Sequence, residues 1–450
     1  MHVAGGAVRR TQSVPACGTA GTSSFVGGNA GNVPGGVYSG VLSGFENQAC
    51  DAVSQIAGGY ENAISSSGNT AGESFIGAGK YNEITGSGDQ AFLGAGYLNS
   101  VTGADSVLGG GSSNQNAGTN AMLGAGQGNG ITAAGTDAVL GGGSTNTISS
   151  EYGFIGGGHL NTLTGLTAAM SGGFNNTNAG TNSMLDAGES NSVTSAAGDA
   201  FIGAGSTNTV SAQYGVIVGG EHNNVSGEGA YIAAGGYNTA SGEGAVVDGG
   251  FNSTAGGAFA TIPGGYVNNA AGTYSFAAGA RASAAETGTF VWSDGSDGDA
   301  ILTSARAYEF LARASGGFTL WTNAASTVGA TLAPGSGTWA SASDRNLKTD
   351  VVRIDDAAVL DKVAHLPIDR WSYKSERGVR HVGPMAQDFY AAFGVGSDDK
   401  HITSLDEDGV ALAAIKALHA ENARLRARQE KMQVQLDRLV ATVSALRSRP

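Results

Sequence analysis

The segments Phe75-Ile-Gly-Ala-Gly79, Phe92-Leu-Gly-Ala-Gly96, Val107-Leu-Gly-Gly-Gly111 and Phe154-Ile-Gly-Gly-Gly158 are one phrase written four times. With the first residue of each as an anchor, the phrase recurs every 15 or 17 residues, at 75, 92, 107, 122, 139, 154, 169, 184, 201, 216, 231, 246, 261 and 276. Unbroken self-similarity at a short, fixed period is the mark of a solenoid. Each repeat is too small to bury its apolar residues alone and does so only against its neighbours.

Three columns give the repeat its physics. One position after the anchor stands a large aliphatic residue, as in Ile76, Leu93, Leu108, Leu123, Leu140 and Ile155, which must face inward. Seven positions after the anchor stands Asn82, Asn99, Asn114, Asn129 and so on to Asn268, in register to form a side-chain ladder or to cap a turn. Two residues later another apolar residue often follows, as in Ile84, Val101, Ile131 and Val193. Spacing of two is strand spacing, so each repeat reads as two short strands joined by Gly-rich turns. The glycine that ends each phrase allows positive φ or close backbone approach. Gly40-Val-Leu-Ser-Gly44 with Asn47 and Gln55-Ile-Ala-Gly-Gly59 with Asn62 carry the pattern towards the N-terminus, giving sixteen coils. At about 4.8 Å per coil they make a shaft of roughly 75 Å.

Composition agrees with this. The chain of 450 residues has 76 Gly, 7 Pro and 13% charged residues, a balance foreign to a globular enzyme. Residues 1–280 hold 3 Lys or Arg against 16 Asp or Glu, and the remainder 20 against 21. An acidic shaft repels nucleic acid and anionic membranes, so neither is expected as a partner. Cys17 and Cys50 sit in no metal-ligand or CxxC spacing and read as two incidental thiols. Neither Arg9-Arg10 nor Val14-Pro15-Ala16-Cys17 is joined to the apolar run that a targeting segment needs, so no signal peptide is expected. No stretch approaches 18 consecutive apolar residues, so no membrane insertion is expected either. No cofactor or metal is expected.

The repeats resemble the left-handed parallel β-roll heads of trimeric autotransporter adhesins, which share the apolar-x-Gly-Gly phrase and a downstream Asn-x-Val/Ala. The resemblance covers residues 24–284. Calcium-binding nonapeptide repeats, the rival Gly/Asn-rich solenoid, need an Asp in every repeat, and Asp is sparse here. Past 284 the period stops. Phe290-Val-Trp-Ser-Asp294 and Phe310-Leu-Ala-Arg-Ala-Ser-Gly-Gly317 suggest a β connector over 285–342, a small meander closing the open end of the roll.

Three further blocks follow in order: Ser343-Asp-Arg-Asn-Leu-Lys348, His381-Val-Gly-Pro-Met-Ala-Gln387-Asp388 and Ala413-Ala-Ile-Lys-Ala-Leu418. Together they resemble the C-terminal intramolecular chaperone of endosialidase tail spikes and related phage fibres. The resemblance implies that residues 343–450 are a self-cleaving chaperone. It implies a cut between Ala342 and Ser343, with Ser343 as nucleophile and Lys348 as its base. A Ser five residues before a Lys is weak alone, and an N-capping Ser beside a surface Lys is its ordinary meaning; the other two blocks decide for the dyad. His381 has two readings: a group that orients the dyad or the scissile carbonyl, or an ordinary hydrogen-bonded histidine.

The last segment carries a heptad seam of Ile415, Leu418, Asn422, Leu425, Gln429, Met432, Leu436, Leu439, Val443 and Leu446, which reads as a coiled coil over about 411–447. Three strands follow from the resemblance and not from the seam. The expected fold is therefore mainly β: an N-terminal segment 1–23, then left-handed parallel β-roll or solenoid repeats in an intertwined or side-by-side homotrimer. A small α+β chaperone domain and a C-terminal coiled coil complete it.

The function expected is a trimeric phage or prophage tail fibre that attaches to an unknown surface receptor, glycan or protein, and matures by single-turnover autoproteolysis. The alternative is a bacterial surface adhesin without a visible anchor. A polysaccharide-degrading spike needs clustered carboxylates at one site, where the repeats offer Asn, Gly and Ser.

Overall fold

A computed structural model describes residues 17–447 apart from 19, 29, 30, 67–71 and 377. Arg9-Arg10 and Val14-Pro15-Ala16 lie outside the described residues. The chain divides into two compact units, residues 1–320 with 331–340 and residues 321–330 with 341–450.

The first unit is a parallel β-solenoid. Each anchor and the residue after it form a two-residue strand that pairs in parallel with the same two positions one coil away, as Phe75↔Phe92 and Ile76↔Leu93. Repeated, this gives a 19-stranded ladder. The later apolar column forms a second ladder, with Ile84 on Val101 and Val101 on Asn116. Single parallel bridges such as Tyr97↔Ser112 and Ser112↔Gln127 form a third line. A coil thus has three sides.

The corners explain the glycines. Each coil turns through left-handed positions, exemplified by Gly79 at φ 105°, Tyr81 at 60° and Gln90 at 53°. Only the first of these is glycine in every repeat from Gly79 to Gly265. A Cβ on Gly158 would lie 2.3 Å from the carbonyl oxygen of Gly173 and 2.5 Å from Asn161 Nδ2. Both reasons expected for that glycine, backbone sign and close approach, operate at once.

The core is one column per face. Ile76, Leu93, Leu108, Leu123 and Leu140 are fully buried in one column, and Ile84, Val101, Ile131 and Ile148 in the other. Burying such a side chain stabilises by about 1.5–3 kcal/mol, and the second column thins towards Ala240, Ala255 and Ala270. Two amides interrupt it. Asn116 and Asn178 are buried where the pattern asks for an aliphatic. Asn178 is satisfied by Ser183, whose hydroxyl donates to it; Asn116 donates to the carbonyls of Val107 and Ala121.

The asparagine column forms the expected ladder. Asn161 accepts from the backbone N–H of Asn176 at 3.0 Å, while its Nδ2 donates to Gly157 O at 3.2 Å and Gly173 O at 2.9 Å. One side chain therefore ties the backbones of two successive coils at three points. Ser253 stands in for asparagine once and still passes the ladder on, accepting from Asn268 N–H at 3.2 Å.

Two expectations are corrected. The ladder does not stop at 284: Phe276 pairs in parallel with Phe290, and Phe290 with Phe310, and only after it do Phe318–Trp321, Gly329–Leu332 and Trp339–Ser341 form a three-stranded sheet in chain order. The coils change length, which hides them from a periodic search, but strand register survives and the three rings stack at 4.7 Å. Nor are the cysteines incidental thiols, because Cys17 and Cys50 form a disulfide. The solenoid brings positions from successive coils side by side, so distance along the chain was a poor guide to their pairing.

The second unit is small and α/β. Helix α1 spans Asp356–His365, α2 spans Ala386–Phe393 and α3 spans Ser404–Arg447. A two-stranded antiparallel sheet, Asp369–Trp371 with His381–Gly383, lies between α1 and α2 in the chain. The Asp355 side chain caps α1, accepting from the N–H groups of Ala357 and Ala358. Helix α3 packs on α1 through the buried Ala413, Ala414 and Ala417, where the small side chains permit close approach. Lys416 pairs with Asp356 across the same contact.

Candidate active site

The site grows from a single turn. A strand, Trp339–Ser341, delivers the chain to Ala342, whose N–H donates to Gly329 O at 3.0 Å. Directly after Ser343 the chain tightens into a 3-10 turn, Arg345–Leu347. Asp344 caps this turn, its carboxylate accepting from Asn346 N–H at 2.9 Å and from Asn346 Nδ2 at 3.1 Å. The expected alternative, Ser343 as cap, is not what the turn uses: the cap is the next residue, which leaves the Ser343 hydroxyl unspent.

Lys348 closes the turn, its backbone N–H donating to Arg345 O at 3.2 Å. Three residues of tight helix between Ser343 and Lys348 fold the chain back on itself, and Lys348 Nζ donates to Ser343 Oγ at 2.7 Å. Both side chains are exposed in the single chain. A peptide bond therefore runs between a residue tied to Gly329 just past a strand end and a residue whose hydroxyl contacts an amine.

His381 lies on the antiparallel sheet and is engaged there. Its ring stacks on Trp371 at 4.7 Å, meets Tyr373 edge-on at 5.6 Å, and turns Nε2 towards Glu376 Oε2 at 3.4 Å. These contacts are those of a packed histidine. Gln387 and Asp388 sit in the first turn of α2, and that helix ends on Gly394 at φ 64°. Sequence reasoning passed over Asp344 as a capping residue and Lys416 as an anchor for α3. The Asp-x-Asn spacing of the first was the available signal.

The seam residues Leu425, Met432, Leu436, Leu439, Val443 and Leu446 are exposed along α3, as are Ile415 and Leu418 nearer its start. Asn422 and Gln429 are exposed with them. Among the described residues no helix is long and apolar enough to cross a membrane, and no group of three or more His, Cys, Asp or Glu is placed to hold a metal ion.

Fold and site together define a protein made of a repetitive parallel β-solenoid and a small α/β unit bearing a serine–lysine contact at its entrance. Residues 343–395 match the family described as chaperone of endosialidase, a peptidase family. The match begins at the serine of the contact and takes in the antiparallel sheet and α2. No curated protein matches the chain.

Proposed function

We propose that this chain is a homotrimeric tail-fibre or tail-spike protein whose C-terminal segment guides trimer assembly and then releases itself by cutting between Ala342 and Ser343. The observation that carries the reading is the 2.7 Å contact of Lys348 Nζ with Ser343 Oγ, inside the segment that matches the chaperone family. The exposed seam on α3 supports the trimer: a long helix with an apolar stripe from Leu425 to Leu446 is stable in water when copies cover that stripe.

The chemistry balances. Ser343 Oγ attacks the carbonyl carbon of Ala342 while Lys348 Nζ, as neutral amine, takes the hydroxyl proton. The C–N bond breaks, the Ser343 nitrogen leaves as an amine with that proton, and the Ala342 acyl group rests as an ester on Ser343 Oγ. Water hydrolyses the ester, freeing a carboxylate at Ala342. Lysine serves as base only where water is excluded around it. Assembly of three chains supplies that exclusion, which restricts cutting to the trimer and to one event per chain. The solenoid, once released, attaches to a surface receptor, glycan or protein.

A cell-surface adhesin is the second reading, and the Cys17–Cys50 disulfide favours it, since such bonds form in oxidising compartments. Mass spectrometry of the purified full chain tests the main reading. Fragments ending at Ala342 and beginning at Ser343 are expected from a trimer of uncut chains; a chain that assembles and stays whole overturns it.

A further inference from the structure

The two ladders of the solenoid treat their outward side chains differently. On the second ladder the outward column is polar, with Thr147, Thr162, Thr177, Ser192, Thr209 and Thr239. On the first it is apolar from Phe75 to Phe310 at every anchor but Thr261. Phe92 is 41% exposed, Met122 50%, Phe154 45% and Met184 41%. The outward anchors carry no charge, although residues 1–280 hold 16 acidic residues against 3 basic ones. Water explains the threonines; it does not explain the phenylalanines.

Beside this ridge, three positions after each anchor, runs a track of Gly or Ala, as in Gly157, Gly172, Ala187, Ala204, Gly219 and Gly249. Gly110 and Gly142 are crowded, each with a carbonyl oxygen 3.2 Å from where a Cβ would stand, and Gly264 has a positive φ, but at the glycines from Gly157 to Gly249 the chain's own packing does not demand it. A Cβ on Gly157 would meet nothing within 4 Å, and on Gly172, Gly219 and Gly249 only ordinary contacts at 3.7 to 4.0 Å, in backbone that is not left-handed. Another surface approaching this side would keep the track small.

We infer that the first ladder is the face on which copies of this chain pack, the apolar ridge of one copy lying on the small-residue track of the next. Three observations commit the face to a second copy. The ridge repeats once per coil, about every 4.8 Å, and a parallel copy has the same rise. Acidic chains approach one another best through a face of low charge, and between ridge and track this one carries only Asp186 and Asp248 over residues 75–280. Phe92, Val107, Met122, Phe154, Met184 and Phe310 are 36% to 73% exposed and the anchors between them partly so; at ~200 Å² for a large side chain the ridge offers several hundred Å², the scale of the ~800 Å² per partner of a standard interface. The inference rests on the trimer reading and assigns it a surface.

Two native methionines test it without substitution. In the assembled full chain, Met122 and Met184 are to be oxidised with dilute peroxide and followed by mass spectrometry, with the buried Met170 as reference. Their oxidation is expected to be about ten-fold slower or more than that of free methionine, and Phe154→Cys with Gly157→Cys in one chain is expected to give disulfide-linked chains on a denaturing gel, whereas Thr162→Cys gives none. A trimer by light scattering in which both methionines oxidise freely and the cysteines do not link overturns this interface and leaves the trimer standing. A monomer by light scattering overturns both.

Discussion

Lys348 reaches Ser343 because Asp344, and not Ser343, caps the turn between them. If Ser343 capped that turn, its hydroxyl would be occupied by backbone and the amine would have no partner. Replacing either Ser343 or Lys348 by Ala is expected to leave the chain uncut at the bond after Ala342, with Ser343→Ala still trimeric by light scattering. Cleavage of the Ser343→Ala chain at that same bond would mean that an outside protease makes the cut.

Asp344 is expected to act on rate alone. Its two hydrogen bonds to Asn346 are worth about 1 kcal/mol to the turn, so Asp344→Ala should slow cleavage by roughly five-fold while Asp344→Asn stays near the parent. A time course of fragment release on gels distinguishes this from complete loss, which would make Asp344 part of the chemistry.

The asparagine ladder and the glycine beside it are expected to dominate solenoid stability. Asn161→Ala strands the N–H of Asn176 and deprives Gly157 O and Gly173 O of a donor. A cost of about 3 kcal/mol follows from buried groups left unpaired. Asn161→Ser should cost less, because Ser253 shows that a hydroxyl can pass the ladder on. Gly158→Ala drives a methyl into Gly173 O and should cost at least as much, whereas Gly157→Ala meets open space within its own chain. Denaturant melts of the four variants give the ranking.

Acid should loosen the last coils. Hydrogen bonds from Ser315, then Ser296, hold the Asp294 carboxyl well below the usual carboxylate range. A carboxyl depressed in the folded state contributes stability that is present above its unfolded value and is lost as pH falls through the folded one. Hydrogen exchange at residues 290–294 and 310–313 should therefore rise only in strong acid, and Asp294→Asn should remove that pH dependence. The same acid response in Asp294→Asn would place its cause elsewhere.

Reduction should act at the other end. Cys17 and Cys50 close a loop of 33 residues, for which the chain-entropy model gives about 3–4 kcal/mol. Dithiothreitol is expected to speed exchange between residues 20 and 56 and to leave residues 107–262 untouched; uniform loosening would show that the coils unfold as one.

The solenoid was legible because its physics repeats: every coil solves the same packing problem, so the inward aliphatics and the asparagines fall into columns that a reader can align. Where a coil solved it differently the pattern went silent. The stretch from Phe290 to Arg313 keeps strand register while changing coil length, and Asn116 and Asn178 occupy aliphatic positions by bonding locally. The disulfide was illegible for a related reason, since which cysteines meet depends on where coils stack. At the site, the resemblance carried by three blocks named Ser343 and Lys348, and the spacing of five was weak alone; the capped 3-10 turn says why five residues suffice for contact. For His381 the sequence left two readings, and its ring stacks on Trp371 with Nε2 towards Glu376.

Since each coil presents the next with the same aliphatic, the same amide and the same carbonyl, the number of coils is free to change. Excising residues 107–121 would bring Phe92 against Met122, Leu93 against Leu123 and Asn99 against Asn129, pairs of the kinds already in contact elsewhere. Length in this molecule is a count, altered by whole steps of about 4.8 Å through duplication or loss in the gene, and a lineage could lengthen or shorten the solenoid without inventing a new kind of contact.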